Sequence, residues 1–169
     1  VYLTDFLPMT LECILLSIPL IVFSLLLNRQ PTVNAAGVSF LWGQQDTQEL
    51  WMQIITGIGA GIYEELIFRL ILIGLLMIFF QDVLGLENVP SIVASILISA
   101  VLFSLHHHIF FVNGQFGAGE EFQAGKFVFR ILAGVYFAGL YALRGFGITA
   151  GTHACYDILA AVLNLLVFK

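Results

Sequence analysis

Eight ionisable side chains interrupt stretches of this chain that are otherwise apolar. They are Glu64, Glu65 and Arg69 in "GIYEELIFRLILIG", His106, His107 and His108 in "FSLHHHIF", and His153 and Asp157 in "THACYDILAAVLNLLVF". A charge placed at the centre of a bilayer costs about 2.5–3.5 kcal/mol on insertion scales, so such groups face a protein interior or water and commonly mark function. Glu65 and Arg69 stand four apart with the acid first, the favourable order on one helical face, and can neutralise each other. Glu64 points about 100° away from Glu65. Set apart from that close partner, its carboxylate suits a general base for water. The bland alternatives are a helix-surface acid near the interface and, for the whole set, mutually satisfied packing groups.

Three consecutive histidines fan out by about 100° each on a helix, so one wall of a site receives at most one of them squarely. His107 shares a face with Phe103, His106 with Leu102, and His108 with Ser104. Two of the three are expected to be hydrogen-bonded core residues. His153 and Asp157 are spaced i and i+4 and share a face, so the acid can orient the imidazole or accept its proton.

The elements that position these groups are membrane helices. The 169 residues are 60% hydrophobic and 10% charged, with a mean hydropathy of +1.00, against about a quarter charged in soluble domains. A bilayer crossing takes roughly 20 apolar residues, and about five such stretches can be laid out. The first runs from about Leu7 to Leu27 and lacks the positive leader and small-residue cleavage site of a secretory signal. The chain opens on Val1 rather than Met, so preceding residues are expected. The polar stretch "NRQPTVNAAGVSFLWGQQDTQ" follows as a linker or interfacial segment.

A long apolar run from about Gln48 to Phe80 would make a helix near 50 Å, longer than a hydrocarbon core of about 30 Å. It either protrudes or breaks, with Gly57, Gly59 and Gly61 the expected place for a bend or a close helix contact. "QDVLGLENVP" makes a turn with Pro90 in the first turn of a third helix that runs to about Val112. The loop "NGQFGAGEEFQAGK" leads to a fourth helix, about Phe127 to Leu143. "RGFGITAG" then joins it to the fifth. The expected fold is all-α, a polytopic bundle with a buried polar active-site cavity, divided into residues 1–47 (first helix and linker) and 48–169 (helical catalytic core).

Arg29, Lys126 and Lys169 fall on one side of this layout and Arg144 on the other, which places the C-terminus and the "GEEFQAGK" loop in the cytoplasm. Cys13 and Cys155 lack the spacing of a disulfide scaffold or zinc ribbon and read as packing residues. The net charge of −5 without a basic stripe gives nucleic-acid binding no support. Ser104 and Thr152 lie near the histidines, but no GxSxG elbow supports a serine-protease reading.

"EELIFR", "FSLHH" and "HACYD" resemble, in order, the EExxxR, FxxxH and HxxxN/D signatures of the CPBP family of CAAX-processing and bacteriocin-processing (Abi) intramembrane endopeptidases. The resemblance covers roughly residues 63–163 and includes the "GLYALRGFGITAGTHA" run. It implies that Glu64 activates the attacking water, that Glu65 and Arg69 shape the site, and that His107 and His153 complete the catalytic group. The Phe spacing is what selects His107. Asp157 departs from the Asn more usual in the family: an amide can donate a hydrogen bond to an oxyanion, whereas an ionised carboxylate cannot.

The function expected is peptide-bond hydrolysis within a bacterial plasma membrane by glutamate-activated water, on a peptide or membrane-protein substrate, possible without any covalent intermediate. Glu64, His107, His153 and Asp157 are also ligand types that suit zinc. No HExxH is present, and the reading favours no obligatory metal. Because His107 comes late on its helix and His153 early on its own, "GFGITAG" is expected to dip into the protein so that the last helix starts deep. The competing class is a non-catalytic membrane protein, an immunity or partner protein or a proton or ion relay, since relays too are built from intramembrane acids and histidines.

Overall fold

The computed structural model describes residues 3–28, 47–112, 115–118 and 122–167. Six α-helices dominate: α1 (Phe6–Asn28), α2 (Thr47–Glu65), α3 (Gly74–Ile78), α4 (Asn88–His106), α5 (Ala124–Arg144) and α6 (Phe146–Val167). Among the described residues five spans are long and apolar enough to cross a membrane, Phe6–Leu27, Leu50–Val83, Asn88–His106, Ala124–Arg144 and Phe146–Leu163. The chain is a helical multi-pass membrane protein, as its composition requires. The linker reading of residues 28–48 and the Glu120–Glu121 loop fall almost wholly outside the described residues.

Two compact units divide the chain: residues 1–63 with 147–169, and residues 64–146. In the first unit α1 turns Cys13, Ser17 and Leu20 inward, while Leu7, Leu11, Leu15 and Val22 stay exposed, the pattern of a helix with lipid on most sides. Its Cys13 meets α6, where the thiol points at the carbonyl of Ile148 (3.6 Å) and a Cβ on Gly151 would lie 2.7 Å from Sγ. α2 meets α6 through two glycines one turn apart. A Cβ on Gly57 would come 3.1 Å from the Asp157 Cβ, and one on Gly61 would come 3.3 Å from the His153 ring and from the Ala154 nitrogen. Close contact is therefore the use of Gly57 and Gly61; Gly59 meets nothing within 4 Å.

The long span Leu50–Val83 does leave α geometry, but after the glycines rather than at them. Residues Leu66–Ile73 and Phe79–Val83 form π-helix, whose i→i+5 hydrogen bonds accommodate an extra residue per turn and which occurs disproportionately at functional sites. The second unit begins with this π segment. The helix turns back at residues 84–87, where Gly85 adopts φ +67° and the Gln81 amide donates to the Asn88 side chain at 2.9 Å. α4 then returns alongside with Ser91, Ser95, Ser99 and Ser104 buried. Ser99 donates to the Phe68 carbonyl (2.8 Å) and Ser104 to that of Phe127 (2.9 Å). At the α4–α5 crossing a Cβ on Gly134 would lie 3.0 Å from Ala100, so glycine sets how closely these backbones approach.

Two expectations are corrected. The third helix ends at His106 rather than near Val112, because Ile109–Val112 (β1) pairs antiparallel with Gln115–Ala118 (β2), and an aromatic and β-branched run favours strand. "GFGITAG" is not an irregular dipping loop: Gly145, at φ +80°, ends α5, and α6 begins at the next residue. That backbone is open to glycine and strained for other residues. His153 consequently lies seven residues into its helix, about 10 Å along.

Candidate active site

The π segment after Glu65 carries Arg69 into the interior of the second unit. Arg69 and Glu65 are fully buried and form an ion pair, Nε to Oε2 at 3.0 Å. A guanidinium removed from water needs such a counter-charge. Arg69 Nη2 also donates to the Gly134 carbonyl at 3.4 Å. Aromatic faces take the remaining contact, with the guanidinium carbon 4.4 Å from the Phe103 ring centroid and 5.6 Å from that of Phe137, a favourable cation–π arrangement.

Glu64 faces elsewhere, as the helical spacing requires. Its Oε1 lies 3.5 Å from Nε2 of His107. His107 follows the last residue of α4, still with helical dihedrals, so it keeps its place above Phe103. Its Nδ1 sits 3.0 Å from the Phe103 carbonyl. A carbonyl only accepts, so Nδ1 carries a proton, and Nε2 is the nitrogen that faces Glu64. Phe103 thus acts twice, its carbonyl fixing the imidazole and its ring packing edge-on to His107 (5.1 Å) and Phe68 (5.5 Å).

The histidine run is divided differently from expectation. His106 is exposed rather than a core residue, its ring packed edge-on against Phe68 at 5.5 Å. Its ligand atom and those of Glu64 and His107 all lie within 4.8 Å of one another. Two adjacent histidines can address one point because α4 stops here and both rings are long enough to bridge their angular offset. His108 turns away and stacks with Phe122 (5.4 Å) and Phe127 (5.9 Å).

His153 and Asp157 belong to the first unit, on α6. Their Nε2 and Oδ2 are 3.9 Å apart, an electrostatic contact longer than a hydrogen bond. His153 is buried and Asp157 partly so, and α2 covers both with Gly57 and Gly61. Phe103 as a backbone acceptor and His106 beside Glu64 are the neighbours that residue type alone did not assign. The unbroken triplet of histidines was the available signal for His106.

In apolar helices, then, the Glu64 carboxylate faces the His107 imidazole, with the buried Glu65–Arg69 ion pair one residue further on. The profile of the type II CAAX prenyl endopeptidase Rce1-like family matches residues 46–159, which include all eight of the ionisable groups singled out above. The chain belongs to this family, and at family level it is a CAAX-protease-like intramembrane endopeptidase. Comparison with curated proteins and with solved structures finds no match.

Proposed function

We propose that the protein hydrolyses a peptide bond within the membrane by means of water activated at Glu64. The observation that carries this reading is the 3.5 Å approach of Glu64 Oε1 to a His107 Nε2 whose ring is fixed by the Phe103 carbonyl. A carboxylate and an imidazole lone pair repel unless a proton or a water lies between them. Water held there loses a proton to Glu64 as its oxygen attacks the scissile carbonyl. The proton then passes to the leaving amine as the C–N bond breaks, which restores the carboxylate. The proton taken up at Glu64 is shared with the facing Nε2 of His107, whose N–H then stabilises the developing oxyanion until that proton moves on to the amine. The Glu65–Arg69 pair holds this turn of helix in place.

The family resemblance adds His153 and Asp157 to the catalytic group, with Asp157 orienting His153 rather than donating to the oxyanion. This route needs no metal ion. Zinc on Glu64, His107, His153 and Asp157 is the alternative mechanism. The family's name gives the substrate class we adopt, a prenylated CAAX-type peptide, and the bacterial plasma membrane is the location we assign. The test is cleavage of farnesylated and unmodified CAAX peptides by purified protein in nanodiscs. Wild type is expected to cleave, with and without chelator, and Glu64→Gln to be inactive while normally folded. Undiminished cleavage by Glu64→Gln would overturn the role of Glu64; loss of cleavage on chelation, with folding intact, would move the mechanism to zinc.

A further inference from the structure

We propose that Glu64, His106 and His107 form a binding site for one divalent transition-metal ion of the zinc class, and that its occupancy withdraws Glu64 from water activation. The second half rests on the reading of Glu64 as base; the first does not.

Three features of the geometry carry it. Each residue offers one ligand atom, and the three atoms lie within 4.8 Å of one another. The Glu64–His107 separation of 3.5 Å is already close to the edge of a tetrahedron with bonds of about 2.0–2.1 Å, about 3.3 Å. His107 is held through its other nitrogen by a backbone carbonyl, the outer contact that orients nearly every metal-binding histidine. The remaining gap is closed by rotation of the His106 ring, which is exposed and stands at 90° to that of His107. Hydrolysis as proposed leaves His106 without a task.

The donor set selects the ion. Two imidazoles and one carboxylate suit zinc and its neighbours rather than magnesium or calcium, which take oxygen ligands. Three protein ligands leave a fourth position open. Water in that position would still need a base to direct it. The adjacent carboxylate, Glu65, is fully buried and paired with Arg69 and does not replace Glu64 in that role, so the metal-bound form is expected to be the less active one.

The test uses full-length protein without a polyhistidine tag, stripped of metal by chelator in detergent and titrated with cobalt(II). The expected result is one equivalent bound, with the visible d–d absorption of four-coordinate cobalt, displaced by zinc. His106→Ala weakens binding by at least about tenfold, the lower end of what even outer-shell changes cost at such sites, and His106→Gln does the same if the alanine variant folds poorly. His108→Ala leaves the titration unchanged. Absence of stoichiometric binding, or a titration indifferent to both His106 variants, overturns the site. Where peptide cleavage is measurable, zinc is expected to suppress it reversibly, at a concentration raised by His106→Ala; stimulation by zinc would overturn the withdrawal of Glu64. A protein that binds cobalt as expected but cleaves no peptide contradicts the proteolytic reading and leaves the metal site standing.

Discussion

At the scale of single residues, two adjacent glutamates have different work because the helix sends them to different neighbours. Glu65 is tied to Arg69 at 3.0 Å, and Glu64 is left to His107 at 3.5 Å. General acid–base groups contribute about 10²–10⁴-fold to rate, so Glu64→Gln is expected to lower kcat by that factor while far-ultraviolet circular dichroism and detergent gel filtration stay as in wild type. Glu65→Gln has the opposite profile. It strands the buried Arg69 charge, and breaking such a pair costs about 3–5 kcal/mol, so unfolding temperature falls before activity is considered. The double variant Glu65→Leu/Arg69→Met is expected to recover much of that loss, since an apolar pair of similar volume replaces a buried ion pair at little cost. A double-mutant cycle by thermal unfolding checks this, and additive losses would show that the pair is not coupled. Arg69→Lys keeps the charge but loses the flat face against Phe103, and is expected to be less stable than wild type.

At the scale of helices, sequence periodicity carried further than sequence composition. The i, i+4 spacings of Glu65 with Arg69 and of His153 with Asp157 were legible because a helix makes such neighbours unavoidable, and the structure has both pairs. Gly57, Gly59 and Gly61 were legible as a place for a bend or a close helix contact; that the contact takes Gly57 and Gly61 and leaves Gly59 out was not. The π segment at Leu66–Ile73 was not, because a run of Leu, Ile and Phe suits α and π geometry alike, and it is the buried contacts of Phe68 and Arg69 that go with the wider turn. The end of α4 was also hidden: Ile109–Val112 is apolar enough to extend a span, and its strand pairing depends on residues beyond the next turn. "GFGITAG" misled through its glycines: Gly145 does punctuate, ending α5, but Gly147 and Gly151 lie in helix. The glycine contacts yield a paired prediction. Gly151→Ala drives a Cβ to 2.7 Å from the Cys13 sulfur and is expected to cost about 1–3 kcal/mol as overpacking. Gly59→Ala meets nothing within 4 Å and is expected to gain up to about 1 kcal/mol from helix propensity. Thermal unfolding of both variants in one detergent decides it, and equal effects would mean that the α1–α6 contact does not set stability.

At the scale of the whole molecule, the charges that orient a membrane protein are few, and α5 carries two of them at its opposite ends. Lys126 lies in its first turn and Arg144 in its last, about 27 Å apart along the axis at 1.5 Å per residue, which with the reach of both long side chains puts one on each side of a hydrocarbon core of about 30 Å. Arg29 and Lys169, the other loop charges, fall outside the described residues, so the balance turns on whether they join Lys126. With that grouping, three positive residues face one Arg144, and positive residues stay in the cytoplasm. The expected topology therefore has the start of α5 inside and Gly145 outside. Single-cysteine labelling checks it: with Cys13 and Cys155 replaced by alanine, Ala124→Cys is expected to resist an impermeant maleimide in intact cells and react once they are opened. Leu143→Cys, the most exposed position near the far end, is expected to react from outside. The reverse pattern would turn the protein over, because the two ends of a single span must exchange together. Labelling of both ends from outside would instead mean that α5 does not cross, and with it would fall the five-span arrangement that puts Glu64 at bilayer depth.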